Sequence, residues 1–161
     1  MRAEEFVTRY GGVYEHSAWI AEEAFGEGIG VTDTNMLATL FEECVDNASR
    51  ERRLALIRAH PDLAGRAAVA GELTEESTDE QSSAGIDQCT ADEFARFQDL
   101  NDCYKKKFDF PFVMAVRNSN RHEILSAFEV RLQNSPEEEF ETAIAEIHKI
   151  ARLRLAAMEI E

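Results

Sequence analysis

The sequence predicts an all-α fold, a single-domain bundle of about seven to eight helices. Apolar residues recur mainly at spacings of three and four, which is the period of a helix with one buried face. Helix-start signals are frequent, whereas the alternation that marks a β-strand is scarce. With 161 residues, 44% of them hydrophobic, the chain can bury one core. Residues 1–161 are therefore expected to form one domain.

Two of the predicted helices begin with a clear cap. Thr90 stands three residues before Glu93, and Ser135 stands before Pro136 and three residues before Glu138. Both patterns are typical of a capping box, in which each residue satisfies the other's backbone N–H. The predicted helices are Ser17–Phe25, Asn35–Asn47, Glu51–Ala59, Glu75–Ala84, Ala91–Lys107, Arg121–Leu132 and Pro136–Met158.

Two stretches interrupt the helical pattern. "FPFVMAV", Phe110–Val116, reads as one short extended segment between two helices and is too isolated to form a sheet. Pro61–Leu73 contains two glycines and is the longest helix-poor piece. Because loops on a rigid scaffold commonly carry functional groups, chemistry is expected near the start of this loop.

Charge and composition exclude several classes of partner. Acidic residues outnumber basic ones by 32 to 17, giving a formal charge of −15, which argues against nucleic acid or an anionic membrane as a partner. Neither a signal peptide nor a run of about 20 apolar residues is present, and the chain ends "AMEIE", without a peroxisomal signal. Cys44, Cys89 and Cys103 suit neither a disulfide framework nor a zinc site. A cytoplasmic location is expected.

His60 stands where a helical pattern stops, directly before Pro61 in "LIRAHPDLAGRA". A residue before proline is pushed out of the helical conformation, so the imidazole is expected at a helix end. Taken alone, this pattern also suits a surface histidine at an ordinary helix stop.

Arg154 lies on the apolar stripe of the last predicted helix. Arg152 lies about 200° further around the helix and should face elsewhere. A guanidinium directed at a core needs a carboxylate, a phosphate or a ligand, because an unpaired buried charge is costly. A structural ion pair, or a side chain that reaches back to water, would satisfy the same pattern. The stripe consists of Phe140, Ile144, Ile147, Ala151, Arg154 and Met158.

A mostly polar helix is predicted at Glu75–Ala84, and its sequence does not show whether any of its faces is buried. Ser77, Glu80, Gln81 and Ala84 share one face in "TEESTDEQSSAG". If that face is buried, a hydroxyl, a carboxyl and an amide come together; the alternative is a solvated helix. Asn101, among aromatic residues at helical spacing, is interpreted as a structural hydrogen-bonding residue.

Five stretches, taken in order, resemble one known family. They are "GGVYEHSAWIAEEAF", "LIRAHPDLAG", "LTEESTDEQSSAGID", "FQDLNDCYKKKFDFPFVMAV" and "EIHKIARLRL". They are similar to the 2-oxo-4-hydroxy-4-carboxy-5-ureidoimidazoline (OHCU) decarboxylases of urate breakdown, over nearly the whole chain.

The resemblance implies an all-helical homodimer that converts OHCU to (S)-allantoin and carbon dioxide without a metal or organic cofactor. His60 matches the family's catalytic histidine, described as the proton donor, and Arg154 matches its site arginine. Glu80 is the expected catalytic carboxylate. The positions that match the family's substrate contacts are Pro61, Ser77, Thr78, Asp79, Glu80, Gln81, Phe112, Val113, Met114, Ala115 and Val116.

One departure and two rival interpretations remain. The family usually has glycine where this chain has Asp109, in "KFDFPF"; aspartate tolerates a positive φ better than most residues. One rival is a non-catalytic acidic helical module that binds other proteins. The other is a metal-dependent hydrolase using His60, Asp62 and Glu80, although the remaining histidines lack zinc-ligand spacing.

Overall fold

The computed structural model describes residues 2–27, 34–63 and 73–159, and in these ranges it contains helices and no strand. The predicted all-α class is confirmed. The elements are α1 (Ala3–Tyr10), α2 (Trp19–Glu27), α3 (Thr34–Asp46), α4 (Arg50–Arg58), α5 (Glu75–Ser83), a 3₁₀ helix (Ile86–Gln88), α6 (Ala91–Phe108), α7 (Arg121–Arg131) and α8 (Pro136–Glu159).

All seven predicted helices are present, with ends within about two residues of the prediction, the usual margin for helix boundaries. The sequence interpretation missed α1. This helix has only eight residues, none of them buried, and its N-cap is Arg2, which is not a typical capping residue. A short helix without a buried stripe gives little signal in a sequence.

The caps predicted from the sequence are formed. The Thr90 hydroxyl accepts a hydrogen bond from the Glu93 N–H at 3.1 Å, and the Glu93 carboxylate accepts one from the Thr90 N–H at 3.0 Å. Ser135 and Glu138 exchange the same two bonds at 3.2 Å each. These caps fix the start of α6 and α8, which carry much of the buried polar network described below.

The chain divides into two compact units. The first comprises Met1–His60 and Ile147–Glu161, and the second comprises Pro61–Glu146. Helix α8 contributes residues to both. The single domain expected over residues 1–161 stays a prediction.

An aromatic cluster around Phe41 forms the core of the first unit. Phe41 is almost fully buried, and the rings of Phe6, Tyr10 and Tyr14 lie between 6.2 and 6.3 Å from it, centroid to centroid. Helix α2 packs against both α1 and α3. Burial of these large rings supplies much of the hydrophobic stabilisation in this unit.

Tyr104 is the centre of the second unit. Its buried ring contacts Phe108, Phe110, Phe112 and Phe128 at centroid distances between 4.5 and 6.3 Å. The rings of Phe112 and Phe128 stack at 3.7 Å. The Phe110–Val116 stretch, predicted to be extended, is neither helix nor strand. The stacking of Phe112 on Phe128 packs this stretch against α7.

Helix α6 ends in the geometry that its sequence anticipates. Asp109 has φ 64° and ψ 25°, a left-handed conformation, and its N–H donates to the Lys105 carbonyl at 2.8 Å. This position therefore requires the positive φ expected for a site that is usually glycine.

Most of the predicted loop Pro61–Leu73, namely residues 64–72, lies outside the described residues. Among the described helices, none is both long and apolar enough to span a membrane.

Candidate active site

His60 lies two residues beyond the end of α4 and is buried. Its Nδ1 lies 2.9 Å from the carbonyl oxygen of Leu56, one turn back along the chain. A carbonyl can only accept, so Nδ1 carries the proton and donates it to Leu56. In the neutral ring Nε2 is therefore the unprotonated nitrogen. The helix end thus fixes both the orientation of the imidazole and its tautomer.

Burial keeps this imidazole neutral at physiological pH. Removal from water lowers the pKa of His60 to about 4, and the positive charge of Arg154 acts in the same direction. The hydrogen bond to Leu56 and the negative charge of Glu15 oppose the shift but do not cancel it. Near neutral pH the ring can accept a proton at Nε2 and must first acquire one before it can donate there.

Arg154 is buried on α8 and is paired with Glu15. Its Nη2 donates to Glu15 Oε2 at 2.9 Å, and its Nη1 donates to the Gly12 carbonyl at 3.2 Å. Arg152, by contrast, is exposed and binds Glu42. The prediction that the two arginines face different ways is confirmed, and the carboxylate that a buried guanidinium requires is Glu15.

The turn between α1 and α2 is what places Glu15. The Ser17 hydroxyl donates to the Glu15 carbonyl at 2.9 Å, and His16 adopts a positive φ of 47°. Next to Glu15, the Tyr14 hydroxyl lies 2.9 Å from His148 Nδ1, and His148 Nε2 lies 3.2 Å from Asp46. Since the Asp46 carboxylate only accepts, Nε2 donates to it and the Tyr14 hydroxyl donates to Nδ1. Burial raises the pKa of Tyr14 and keeps its proton in place.

Helix α5 buries the predicted polar face. Ser77, Glu80 and Gln81 are buried, whereas Thr78 and Asp79 are exposed. The solvated-helix alternative is therefore wrong for this face. The Thr74 side chain caps the helix by accepting from the Ser77 N–H at 3.2 Å, so the buried face begins at the first turn.

The Phe112–Val116 segment is tied to the helices of the second unit through its backbone. Arg131 donates to the Val113 carbonyl at 2.6 Å, and the Glu146 carboxylate accepts from the Ala115 N–H at 3.1 Å. Met114 and Ala115 are only half-buried, whereas Phe112, Val113 and Val116 are buried.

The predicted site residues are thus divided between the two units. His60 and Arg154 belong to the first unit, where both interact electrostatically with Glu15. The second unit contains the partly exposed Pro61, the α5 residues and the Phe112–Val116 segment. The predicted meeting of His60 with Glu80 stays a prediction.

Comparison with known proteins decides the family. A family model described as OHCU decarboxylase matches residues 1–156. The chain belongs to the OHCU decarboxylase family. An OHCU decarboxylase from Haloferax volcanii is 42% identical over 153 residues, covering 95% of this chain and 88% of that protein. Membership confirms the predicted enzyme class, a carboxy-lyase of urate degradation, and disfavours the interaction-module alternative.

Two solved structures share the fold. A crystal structure of (S)-allantoin synthase has a TM-score of 0.77 and is 32% identical; it covers 98% of this chain, which spans only 50% of that one. A crystal structure of OHCU decarboxylase in the presence of (S)-allantoin has a TM-score of 0.75 and is 25% identical, covering 92% of this chain and 96% of that one. The second structure matches nearly end to end, as expected for one OHCU decarboxylase compared with another.

Several buried polar residues were not predicted from the sequence. Glu15 lies in an irregular turn, so no periodic pattern marked it as buried, although "VYEHSAWIA" does place one acid among apolar residues. Arg131 and Glu139, which form a buried pair at 2.8 Å, were also missed, because Glu139 follows two other glutamates. Asn101 has the predicted structural role, donating to the Leu63 carbonyl at 2.9 Å.

The residues named for the metal-hydrolase alternative are engaged in other contacts. Asp62 Oδ2 accepts from Lys105 at 2.6 Å, and His60 Nδ1 is bonded to Leu56. In the part of the chain that the structure describes, no group of three or more histidine, cysteine or acidic side chains is placed to hold a metal ion.

Proposed function

We propose that the chain converts OHCU to (S)-allantoin and carbon dioxide, with His60, Glu80 and Arg154 as its catalytic residues. The observation that carries the proposal is the state of His60: a buried, neutral imidazole pinned at Nδ1, which leaves Nε2 as its base. No cofactor is assigned to the reaction.

The reaction needs one group that handles a proton twice. The bond between the ring carbon and the carboxylate breaks, carbon dioxide leaves, and the electron pair moves into the imidazoline ring, where a ring nitrogen takes up a proton from solvent and neutralises the charge. The 4-hydroxyl then loses its proton as it becomes a carbonyl, and the ureido-bearing carbon gains a proton on one face. A base that accepts the first proton can deliver the second, which sets the configuration of the product.

His60 has the properties of such a shuttle. Its neutral Nε2 accepts the hydroxyl proton, while Nδ1–H stays bonded to Leu56. Burial makes the protonated ring unstable, so it readily gives the proton up to carbon. The role of proton donor implied by the family resemblance then belongs to the second half of the cycle.

Arg154 and Glu80 are assigned opposite electrostatic tasks. The guanidinium of Arg154 binds an anionic oxygen of OHCU, and its pairing with Glu15 keeps it oriented. The Glu80 carboxylate, on the buried face of α5, is assigned a place near the carboxylate of OHCU. Repulsion between like charges there favours departure as neutral carbon dioxide.

The remaining contacts are assigned to substrate recognition. The buried Ser77 and Gln81 side chains can hydrogen-bond the polar edges of OHCU, as can the peptide groups of Phe112–Val116. Pro61, which follows His60 in the chain, is assigned to the same role. Thr78 and Asp79 are exposed, so their assigned contribution is limited to the backbone.

Assembly and location belong to the same proposal. A homodimer is proposed from the family resemblance, and sedimentation equilibrium measures it directly: a mass near twice 18.2 kDa supports it, and a monomer mass refutes it. A cytoplasmic location is proposed because Cys44, Cys89 and Cys103 are free thiols, which is typical of proteins in a reducing compartment.

The activity itself is tested with OHCU generated in situ from urate by upstream enzymes. Because spontaneous decay of OHCU has no stereochemical control, it gives racemic allantoin. Added protein should accelerate the appearance of circular dichroism from one enantiomer. Formation of racemate at the spontaneous rate would refute the proposed activity.

A further inference from the structure

We infer that Arg131 is a positioning residue, which together with Glu146 orients the substrate-binding segment Phe112–Val116. The inference rests on the proposed function, because that function assigns the segment to substrate recognition. The structure itself supplies the contacts that do the positioning.

Arg131 holds two consecutive residues of the segment with one planar group. Its Nη1 donates to the Val113 carbonyl at 2.6 Å, and its guanidinium carbon lies 4.3 Å from the centre of the Phe112 ring. Phe128 stacks on the same ring at 3.7 Å, and Tyr104 meets it edge-on at 5.3 Å. A guanidinium can stack on a ring and donate in its own plane at once, which an ammonium cannot do.

Arg131 is itself rigidly held. Its Nε donates to Glu139 Oε1 at 2.8 Å, and Glu139 is fully buried. The Tyr104 hydroxyl donates to the same oxygen at 2.6 Å, and Asn134 Nδ2 donates to Glu139 Oε2 at 2.9 Å. A buried ion pair with its hydrogen bonds completed is stiff and specific in direction, so the Val113 carbonyl has a fixed partner.

Glu146 supplies the second anchor by accepting from the Ala115 N–H at 3.1 Å. The two anchored groups lie on either side of Met114. Trans peptide groups are planar, with C=O and N–H antiparallel. Arg131 therefore turns the Met114 N–H away from itself, and Glu146 does the same to the Met114 carbonyl.

Met114 is thus the residue whose backbone the two anchors orient. It is half-buried, and within the described residues neither its N–H nor its carbonyl forms a hydrogen bond. One donor and one acceptor, fixed in direction, match the C=O and N–H groups of a ureido chain or a ring amide. Removing either the Arg131 or the Glu146 contact should therefore weaken ligand binding more than it slows the proton transfer assigned to His60.

The test separates positioning from simple support of the fold. Arg131→Lys keeps the charge beside Glu139 but loses the stack and the in-plane bond to Val113. Tyr104→Phe is the matched control, because it removes the hydroxyl that donates to Glu139 and accepts from Arg131 Nη2 at 3.4 Å, and leaves both contacts of Arg131 with the segment. Glu146→Ala removes the second anchor and serves as the independent variant if Arg131→Lys does not fold.

Each variant is assayed for KM and kcat with OHCU, for the Kd of (S)-allantoin by calorimetry, and for thermal unfolding. Arg131→Lys and Glu146→Ala should each raise KM and Kd roughly tenfold, equivalent to about 1.4 kcal/mol, with kcat changed by less than about threefold. Tyr104→Phe should lower stability and leave KM within about twofold.

Two outcomes overturn the inference. In the first, Arg131→Lys and Glu146→Ala fold and keep the wild-type KM and Kd. In the second, Tyr104→Phe raises KM as much as they do, so that KM simply follows stability. Failure of the proposed function is distinguishable, because the wild-type protein would then show neither turnover nor allantoin binding.

Discussion

Glu15 and Arg154 form a buried ion pair, with Glu15 Oε2 accepting from Arg154 Nη2 at 2.9 Å and side-chain exposures of 1% and 5%. Arg154, which matches the family's site arginine, is therefore paired with a carboxylate from the turn between α1 and α2. His60 interacts electrostatically with both members of the pair. Their charges shift the pKa of the imidazole in opposite directions, and burial, the largest influence, decides its protonation.

Glu15→Gln should destabilise the protein strongly and reduce activity. Removing one partner of a buried pair leaves an uncompensated charge, which costs about 3–5 kcal/mol. Urea unfolding measures the loss. The matched control is Glu42→Gln, which breaks the exposed Arg152–Glu42 pair, with exposures of 44% and 24%, and should cost less than about 1 kcal/mol. Equal losses in the two variants would contradict the account of Glu15.

Stability should fall between pH 7 and pH 5 because of His60. Its folded pKa is about 4, below its ordinary value of 6.5, so the unfolded chain takes up a proton at a higher pH than the folded chain. This opposes folding progressively as the pH falls from about 6.5 to about 4. At pH 5 the contribution is about 2 kcal/mol.

His60→Asn isolates that contribution, because its amide can still donate to Leu56 but does not titrate. Urea unfolding at pH 7 and pH 5 should show a smaller decrease for the variant, by about 2 kcal/mol. Identical decreases would mean that the imidazole is not held neutral.

The backbone at Asp109 predicts opposite effects for two substitutions. Its φ of 64° is left-handed, a conformation that costs a residue such as alanine about 1–2 kcal/mol and costs glycine little. Asp109→Ala should lower the midpoint of thermal unfolding, and Asp109→Gly should leave it unchanged or raise it. A midpoint for Asp109→Gly as low as that for Asp109→Ala would show that the aspartate side chain, not the backbone angle, matters here.

The acidic composition predicts stabilisation by salt. A formal charge of −15 opposes compaction through self-repulsion. Raising KCl from about 0.1 M to about 1 M shortens the Debye length from about 10 Å to about 3 Å and should raise the unfolding midpoint. An unchanged or lower midpoint, measured against glycerol as an uncharged control, would indicate that repulsion contributes little.

Periodicity made the helices and part of the site predictable from the sequence. Arg154 and the face of Ser77, Glu80 and Gln81 fall at regular helical spacings, so the shared face of each set follows from geometry, and burial of that face is what the structure shows. His60 was marked by the proline after it. In each case a pattern within a few neighbouring residues was enough to identify the residue.

The partners of these residues were not predictable, because they come from distant parts of the chain. Glu15 meets Arg154 across 139 positions, and Arg131 reaches the Val113 carbonyl across 18. No local pattern encodes such pairs. Glu139 also lies in an acidic run whose other members are exposed, so only the packed structure distinguishes it.

The most direct test of the account compares wild type with His60→Asn on OHCU freshly generated from urate, followed by circular dichroism of the allantoin formed. The wild type should produce (S)-allantoin rapidly, and the folded variant should lose at least about 100-fold in kcat and leave racemate from spontaneous decay. Full turnover to optically active allantoin by folded His60→Asn would contradict the assignment of His60 as the group that moves the proton.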